Sequence, residues 1–207
     1  AGKLVVTPHV GQKRMFASKA QIIAVIAGAQ SGKTTSGPIW LLKEIMDKGP
    51  GEYGVVSPTF PLMDKKCLPE FKRLFQDAMK LGTYVKTNKK FYFSKSGLIK
   101  LFGTAANPCA VVFCYAADPD SLESATFKAV WCDEAGQSAF KLDSYYAIRR
   151  RLAIHEGRML ITTTPYDLGW LKTKIHDPWK KGDPEIEVIN FRSIDNPYFP
   201  MSVYLSE

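Results

Sequence analysis

Ala27 to Thr35 reads AGAQSGKTT, and within it Gly32, Lys33 and Thr34 stand in the order of a G-x-x-x-x-G-K-[ST] phosphate loop. Each type has a task there. Gly32 lets the backbone approach a phosphate, Lys33 bridges the outer phosphates, and the Thr34 hydroxyl ligates Mg²⁺. Backbone N–H groups of such a loop, with the positive end of the following helix, face the anion. The pattern's first glycine is replaced by Ala27, and a glycine comes one residue late, at Gly28. The plainer alternative is a glycine turn before a helix with a surface lysine.

A phosphate loop that hydrolyses needs an acid for the metal and a base for water. One hundred residues beyond Lys33, the run AVWCDEAG (129–136) ends an apolar segment in Asp133 and Glu134. Asp133 is placed to hold the metal, and Glu134 to orient or deprotonate the attacking water. Alone, such a pair is equally a charge pair at a helix start; beside the glycine loop it acquires a role. A third group, Thr162, Thr163 and Thr164 in RMLITTT, closes another apolar run where hydroxyls can sense a γ-phosphate, although threonine is also simply a good strand former.

These residues need elements to position them. QIIAVIA (21–27), EYGVVSP (52–58), AVVFCYA (110–116), FKAVWC (127–132) and RMLITTT (158–164) have the continuous apolar character of strands buried on both faces. PIWLLKEIMDKG (38–49) and a run near Leu142–Leu152 have helical spacing. MDKKCLPEFKRLFQDAMKLG (63–82) does too, with an interruption expected at Pro69 and an end at Gly82. KFYFS and LIKLFG flank Lys95-Ser96-Gly97, a hairpin signal. PEIEVINFRSIDNPYFP (184–200) holds one more strand. Strands alternating with helices imply an open α/β sheet with its ligands at the carboxyl ends of the strands.

Composition narrows the class. An apolar share of 45% and a charged share of 23% are those of a globular protein. No apolar run reaches the roughly 20 residues of a membrane span, and the first residues lack the apolar centre of a secretion signal. The net charge of +8 suits a polyanionic partner, or solubility alone. Cys67, Cys109, Cys114 and Cys132 form no C-x-x-C pair, and three lie in apolar runs, so buried free thiols are expected rather than disulfides or zinc ligands.

The ordered set PHVGQ, AQSGKTT, VVSPTF, ADPDSLESATFKAVWCDEA, ITTTP followed by GW, and DNPYFP resembles the ATPase domain of tailed-phage terminase large subunits, from about Pro8 to Pro200. The resemblance implies an α/β additional-strand P-loop NTPase fold, with a mainly parallel central sheet flanked by helices and a small C-terminal lid around Ile189–Pro200. It implies an ATPase core over residues 1–180 and a lid or linker over 181–207, leading to a nuclease domain that this chain does not contain. Gln12 matches the family's adenine-reading glutamine. Gly28 and Gln30, Ser31, Gly32, Lys33, Thr34 and Thr35 correspond to the ATP-binding loop, which in this family often lacks its first glycine. Asp133 and Thr34 match the Mg²⁺ ligands, Glu134 the catalytic glutamate acting with Lys33, and Thr162–Thr164 the coupling motif.

ATP and Mg²⁺ are therefore the implied cofactors. The implied partners are double-stranded viral DNA, a portal protein and a small terminase subunit, in a homo-oligomeric ring on the procapsid. The isolated chain is expected as a monomer, in the host cytoplasm during virion assembly, with no membrane. Two departures concern arginine. Ala29 stands where many relatives carry one in the loop, and Leu122-Glu123-Ser124 where some read L-R-G. Arg149, Arg150 and Arg151 are then candidates for an arginine finger, or else a solvated basic helix end. Competing functions are a helicase-like DNA-dependent ATPase, a nucleotide-binding switch with slow turnover, and a metabolite kinase, the last leaving Glu134 and the +8 charge without a purpose.

Overall fold

The computed structural model describes residues 7–28, 30–122, 126–165 and 169–196. Eight strands form one sheet: β1 (Ile22–Ala27), β2 (Glu52–Ser57), β3 (Gly82–Val85), β4 (Lys90–Phe93), β5 (Ala110–Tyr115), β6 (Ala129–Asp133), β7 (Arg158–Thr163) and β8 (Ile186–Phe191), in the order β3-β4-β5-β2-β6-β7-β1-β8. From β5 to β8 every pairing is parallel, while β4 runs antiparallel to both β3 and β5. The fold is thus the additional-strand P-loop arrangement: a mainly parallel α/β sheet with helices on both faces.

Side-chain alternation explains the layers. Ile23, Val25, Tyr53, Val55, Val111, Phe113, Trp131 and Leu160 point to one face. There they meet α2 (Lys33–Lys48) and the helical run α3 (60–78), chiefly through Trp40, Ile45, Phe71 and Phe75. Ile22, Ala24, Val56, Val112, Cys132, Met159 and Ile161 point to the other. They pack on Ile148 and Leu152 of α5 (Leu142–Ala153) and on Leu171 and Ile175 of α6 (169–180). The remaining helices are α1 (Val10–Ala17), ahead of β1, and α4 (Lys95–Phe102), after β4.

Three sequence expectations change. The segment LIKLFG is helix α4, not the second arm of a hairpin: the Ser94 hydroxyl accepts from Gly97 N at 3.0 Å and caps it. Gly97 is needed because a Cβ there would lie 1.9 Å from the Leu81 carbonyl oxygen. The true hairpin joins β3 to β4 through residues 86–89. Pro69 does not interrupt α3: it follows closely on the wide π-helical turn Met63–Cys67, where the regular hydrogen-bond ladder is already shifted, and the helix continues through it to Ala78. The α-helical piece Leu68–Lys72 is flanked by that turn and by a second at Arg73–Ala78, and the run ends at Ala78 rather than Gly82. Helix α2 begins at Lys33, five residues ahead of the apolar run that announced it.

The sheet also extends past residue 180. β8, with Ile189 in it, pairs with β1 along its whole length, so part of the segment expected to form a lid is edge strand. Residues 197–207 lie outside the described residues, as do Ala29 and Glu123–Ser124. All four cysteines are buried and free. Among the described residues no helix is long and apolar enough to cross a membrane.

Helix α2 approaches the sheet closely at Gly37, where a Cβ would stand 2.1 Å from the ring of Trp131. Overpacking of this kind costs about 1–3 kcal/mol. Gly37→Ala is expected to lower stability by that amount in denaturant unfolding; a midpoint equal to the parent's would show that helix and ring separate freely.

Candidate functional site

The carboxyl ends of β1, β2, β6 and β7 lie side by side, and the candidate residues gather there. The loop after β1 explains its missing glycine. Ala27 is still in the strand, 2% exposed and in the core, so its position needs no unusual backbone. Left-handed backbone occurs later, at Gln30 (φ 56°) and Gly32 (φ 84°). At Gly28 it is space rather than φ that forbids a side chain, since a Cβ would stand 2.5 Å from the Ser193 hydroxyl.

The loop's carbonyls are held from outside. Asn196 donates its amide to Gln30 O at 2.7 Å, and His9 Nε2 donates to Ser31 O at 3.1 Å. Gln12 donates to Gly32 O at 3.3 Å and to the Ser36 hydroxyl at 2.8 Å, while its Oε1 accepts from His9 N at 3.2 Å. In this structure Gln12 is therefore engaged with the loop itself. The Ser31 hydroxyl is buried and has no hydrogen-bond partner among the described residues. Thr35 is exposed on the first turn of α2.

Lys33, 5% exposed, donates to Gly28 O at 3.3 Å. Burial lowers its pKa, opposed by Glu134 and Asp133 nearby. Thr34 donates to Asp133 Oδ1 at 3.5 Å, although the two stand ninety-nine positions apart in the chain. Asp133 has no exposed surface. Its Oδ1 also accepts from Thr162 Oγ1 at 2.6 Å, and its Oδ2 from Cys67 Sγ at 3.3 Å. Burial pushes its pKa from 3.8 up to about 6, with the Glu134 charge adding to the rise and the Thr162 and Cys67 hydrogen bonds opposing it.

Glu134 follows in left-handed backbone (φ 53°), a conformation uncommon for a residue with a side chain. It is 1% exposed. Its Oε1 accepts from Lys66 Nζ at 2.9 Å and its Oε2 from Thr164 N at 3.4 Å. The three threonines have separate duties. Thr162 takes a hydrogen bond from Trp131 Nε1 at 2.8 Å and gives one to Asp133. Thr163 accepts from Gly136 N at 2.9 Å, fixing the turn after Glu134. Thr164 contacts Glu134 through its amide.

The donor set suits magnesium. Among the described residues no group of three or more His, Cys, Asp or Glu side chains could hold a metal alone. A hydroxyl and a carboxylate facing one space leave most positions to phosphate oxygens and water, as this cation takes them. The buried hydroxyls of Ser31 and of Ser57, the latter at the end of β2 beside the Cys67 thiol, supply two more polar groups at this edge.

Arg149, Arg150 and Arg151 are not brought to this site. Helix α5 runs from the carboxyl end of β6 back to the amino end of β7, which places its last turn at the opposite edge of the sheet. Arg149 there lines a small cavity with Gln21 and Gly157 and lies 3.8 Å from Glu185, while the Arg151 carbonyl accepts from Phe127 N at 2.9 Å. Sequence reasoning missed His9, Lys66, Cys67, Trp131 and Asn196. His9, Trp131 and Asn196 stand inside the motifs PHVGQ, AVWCDEA and DNPYFP without a role having been read for them, whereas Lys66 and Cys67 lie outside any motif, in the helical run MDKKCLPEF.

Residues 25–194 match the family model described as terminase large subunit, T4likevirus-type, N-terminal. A comparison with curated proteins found no match. Among solved structures, a mutant of the large terminase ATPase domain of Thermus phage P74-26 superposes with TM-score 0.73 at 18% identity, over 97% of this chain and 87% of that one. The large terminase of a thermophilic bacteriophage gives TM-score 0.78 at 12% identity, over 97% of this chain and 50% of that one, so the present chain spans about half its length. The same phage's enzyme in complex with ATP-gamma-S gives TM-score 0.74 at 11% identity, over 96% of this chain and 48% of that one. Identities this low show a shared fold.

Burial of Asp133 carries a cost in stability. A carboxyl whose folded pKa stands above its unfolded value binds its proton more tightly in the folded state. Stability therefore falls as pH rises from about 4 through about 6, and the penalty is complete above that. A rise of this size corresponds to about 3 kcal/mol. Asp133→Asn is expected to raise the melting temperature of the nucleotide-free chain at neutral pH, with a gain that shrinks to nothing below about pH 4. A gain independent of pH would show that the carboxylate is not strained by burial.

Proposed function

The chain belongs to the T4-like-virus-type family of terminase large subunits, in its N-terminal part, and from that premise we propose that it is the Mg²⁺-dependent ATPase of a motor that drives double-stranded viral DNA into a procapsid. The observation that supports this most is the convergence of Lys33, Thr34, Asp133 and Glu134, from two distant segments, on one edge of the sheet. A bound magnesium ion, held by Thr34 and through Asp133, would neutralise charge on the outer phosphates. Lys33, already desolvated, offers its ammonium to the same oxygens, where a low local dielectric strengthens the contact. The carbonyls pinned by His9, Gln12 and Asn196 leave the loop's amides free to accept the phosphate chain.

Glu134 is the general base in this reading. Both its oxygens are occupied here, by Lys66 and by the Thr164 amide. Polarising a water requires one of them to let go, and the 3.4 Å contact to Thr164 is the weaker of the two. Movement of β7's end therefore accompanies the chemistry, because Thr162 and Thr163 of the same strand hold Asp133 and Gly136. This gives the threonine segment a physical route for transmitting hydrolysis to the rest of the motor. Arg149–Arg151, at the far edge, cannot serve their own chain's phosphates; any finger role for them is toward a neighbouring subunit. DNA, a portal protein, a small terminase subunit and further copies in a ring are the partners this function requires, with the isolated chain monomeric.

Glu134→Gln should retain ATP binding and lose hydrolysis by roughly 10²–10⁴-fold, measured by nucleotide titration and phosphate release; unchanged turnover would remove the glutamate from its role. Lys33→Ala should weaken ATP binding, and an unaltered affinity would sink the phosphate-loop reading. Specific activity of the parent should rise with protein concentration if subunits complete each other's sites, and single replacement of Arg149, Arg150 or Arg151 should abolish that rise for the arginine that acts in trans. A flat profile would mean that the sites act singly.

A further inference from the structure

The charge of this chain is not spread over it. Residues 63–102 carry ten Lys or Arg and three Asp or Glu, a surplus of seven, whereas the rest of the chain carries eighteen and seventeen. That segment folds as α3, the β3–β4 hairpin and α4, which together form the antiparallel end of the sheet. Some of its cations are spent locally. Lys66 holds Glu134, Lys90 pairs with Glu52, Arg73 pairs with Glu70, Lys100 donates to Met79 O, and Lys89 lies over the Phe60 and Tyr115 rings. Lys65, Lys72, Lys80, Lys86 and Lys95 have no ion-pair partner among the described residues.

Four of them, Lys72, Lys80, Lys86 and Lys95, border one surface. Lys72 and Lys86 line a groove of about 540 Å³ between α3 and the edge strand β3, together with Tyr84, Asp64 and Asp77. Lys80 lines an adjoining cleft with Thr83 and Ser94, and Asp77 is common to both, so the two run together beside β3. Lys95 follows Ser94 as the first residue of α4, where a cation opposes the helix dipole. Lysine is a common guard against edge-to-edge strand pairing. That does not explain this pattern: β3 itself carries no charge, and the lysines stand on the helices and turns around it.

We propose that this antiparallel end of the sheet is the surface that grips the phosphate backbone of double-stranded DNA. The choice of DNA rests on the packaging reading above; the location rests on the charge and the groove. The unpaired cations are all lysines, which act as point charges on phosphate without the bidentate fork that reads base edges. Grip without sequence preference is what movement along any sequence demands. The surface is remote from the nucleotide: β3 and β1 are six strand steps apart, about 29 Å at sheet spacing. Helix α3 bridges the gap. Its first π-helical turn presents Lys66 and Cys67 to Glu134 and Asp133, and its later turns present Lys72 to the groove.

The test uses the whole 207-residue chain and a fluorescently labelled DNA duplex of random sequence, with anisotropy read across a salt series. Replacing Lys72, Lys80, Lys86 and Lys95 together by Gln should weaken binding at least about tenfold and lower the slope of log K against log salt by about 3 to 4. A control chain with Lys13, Lys19, Lys180 and Lys181 replaced by Gln loses the same charge and should bind within about twofold of the parent. Both should hydrolyse ATP at the parent's basal rate. Equal losses in the two variants, parental binding by the first, or no duplex binding by the parent each overturns the assignment. Tighter binding of duplex RNA than of DNA overturns the choice of partner. Nucleotide binding by the parent and its loss in Lys33→Ala report separately on the ATPase reading.

Discussion

Burying a carboxylate at the end of a parallel sheet is expensive, and much of this structure is arranged around the one at Asp133. It has no exposed surface, and its pKa stands at about 6 because water is excluded from it. Two neutral donors, the Thr162 hydroxyl and the Cys67 thiol, hold its oxygens without cancelling its charge. Thr162 in turn is oriented by the Trp131 indole, and that ring is accommodated by the absence of a side chain at Gly37. One chain of contacts thus runs from the acid, through the core, to the helix that carries the phosphate loop.

The same constraint bears on α3. Its first residues follow β2 at the site's edge and its remainder packs Phe71 and Phe75 against the antiparallel strands. Meeting both demands with one continuous helix puts a wide turn at Met63–Cys67, where Leu68 N bonds Met63 O rather than the carbonyl one residue later. π-helical turns are frequent at functional sites. Here the turn brings Lys66 and Cys67 to bear on the two acids.

The family resemblance was legible because motifs were ordered along the chain at the distances a phosphate-loop fold requires. Similarity in three dimensions to two phage large terminases at 12–18% identity agrees with that origin: alternation of apolar residues in β1, β2, β6 and β7 preserves layers even when side chains change. Local signals were weaker where an apolar run was short. LIKLFG suits a strand or one face of a helix, and only the Ser94 cap and the close approach of Gly97 to Leu81 decide for helix α4.

By itself the sequence determined the alternating α/β order, the loop around Gly32, Lys33 and Thr34, and the acids that end β6, because strand period and motif spacing are properties of consecutive residues. It also held the charge surplus of residues 63–102, although not the surface that surplus would cover. Only the tertiary structure decided that Lys66 faces Glu134, that Cys67 faces Asp133, and that His9 and Asn196 hold the phosphate loop from the two ends of the chain. It also sent Arg149–Arg151 to the far edge of the sheet. Those contacts join residues separated by 22 to 166 positions. No local pattern encodes them; they follow from which strands lie side by side, and that order is set by burying two apolar faces at once.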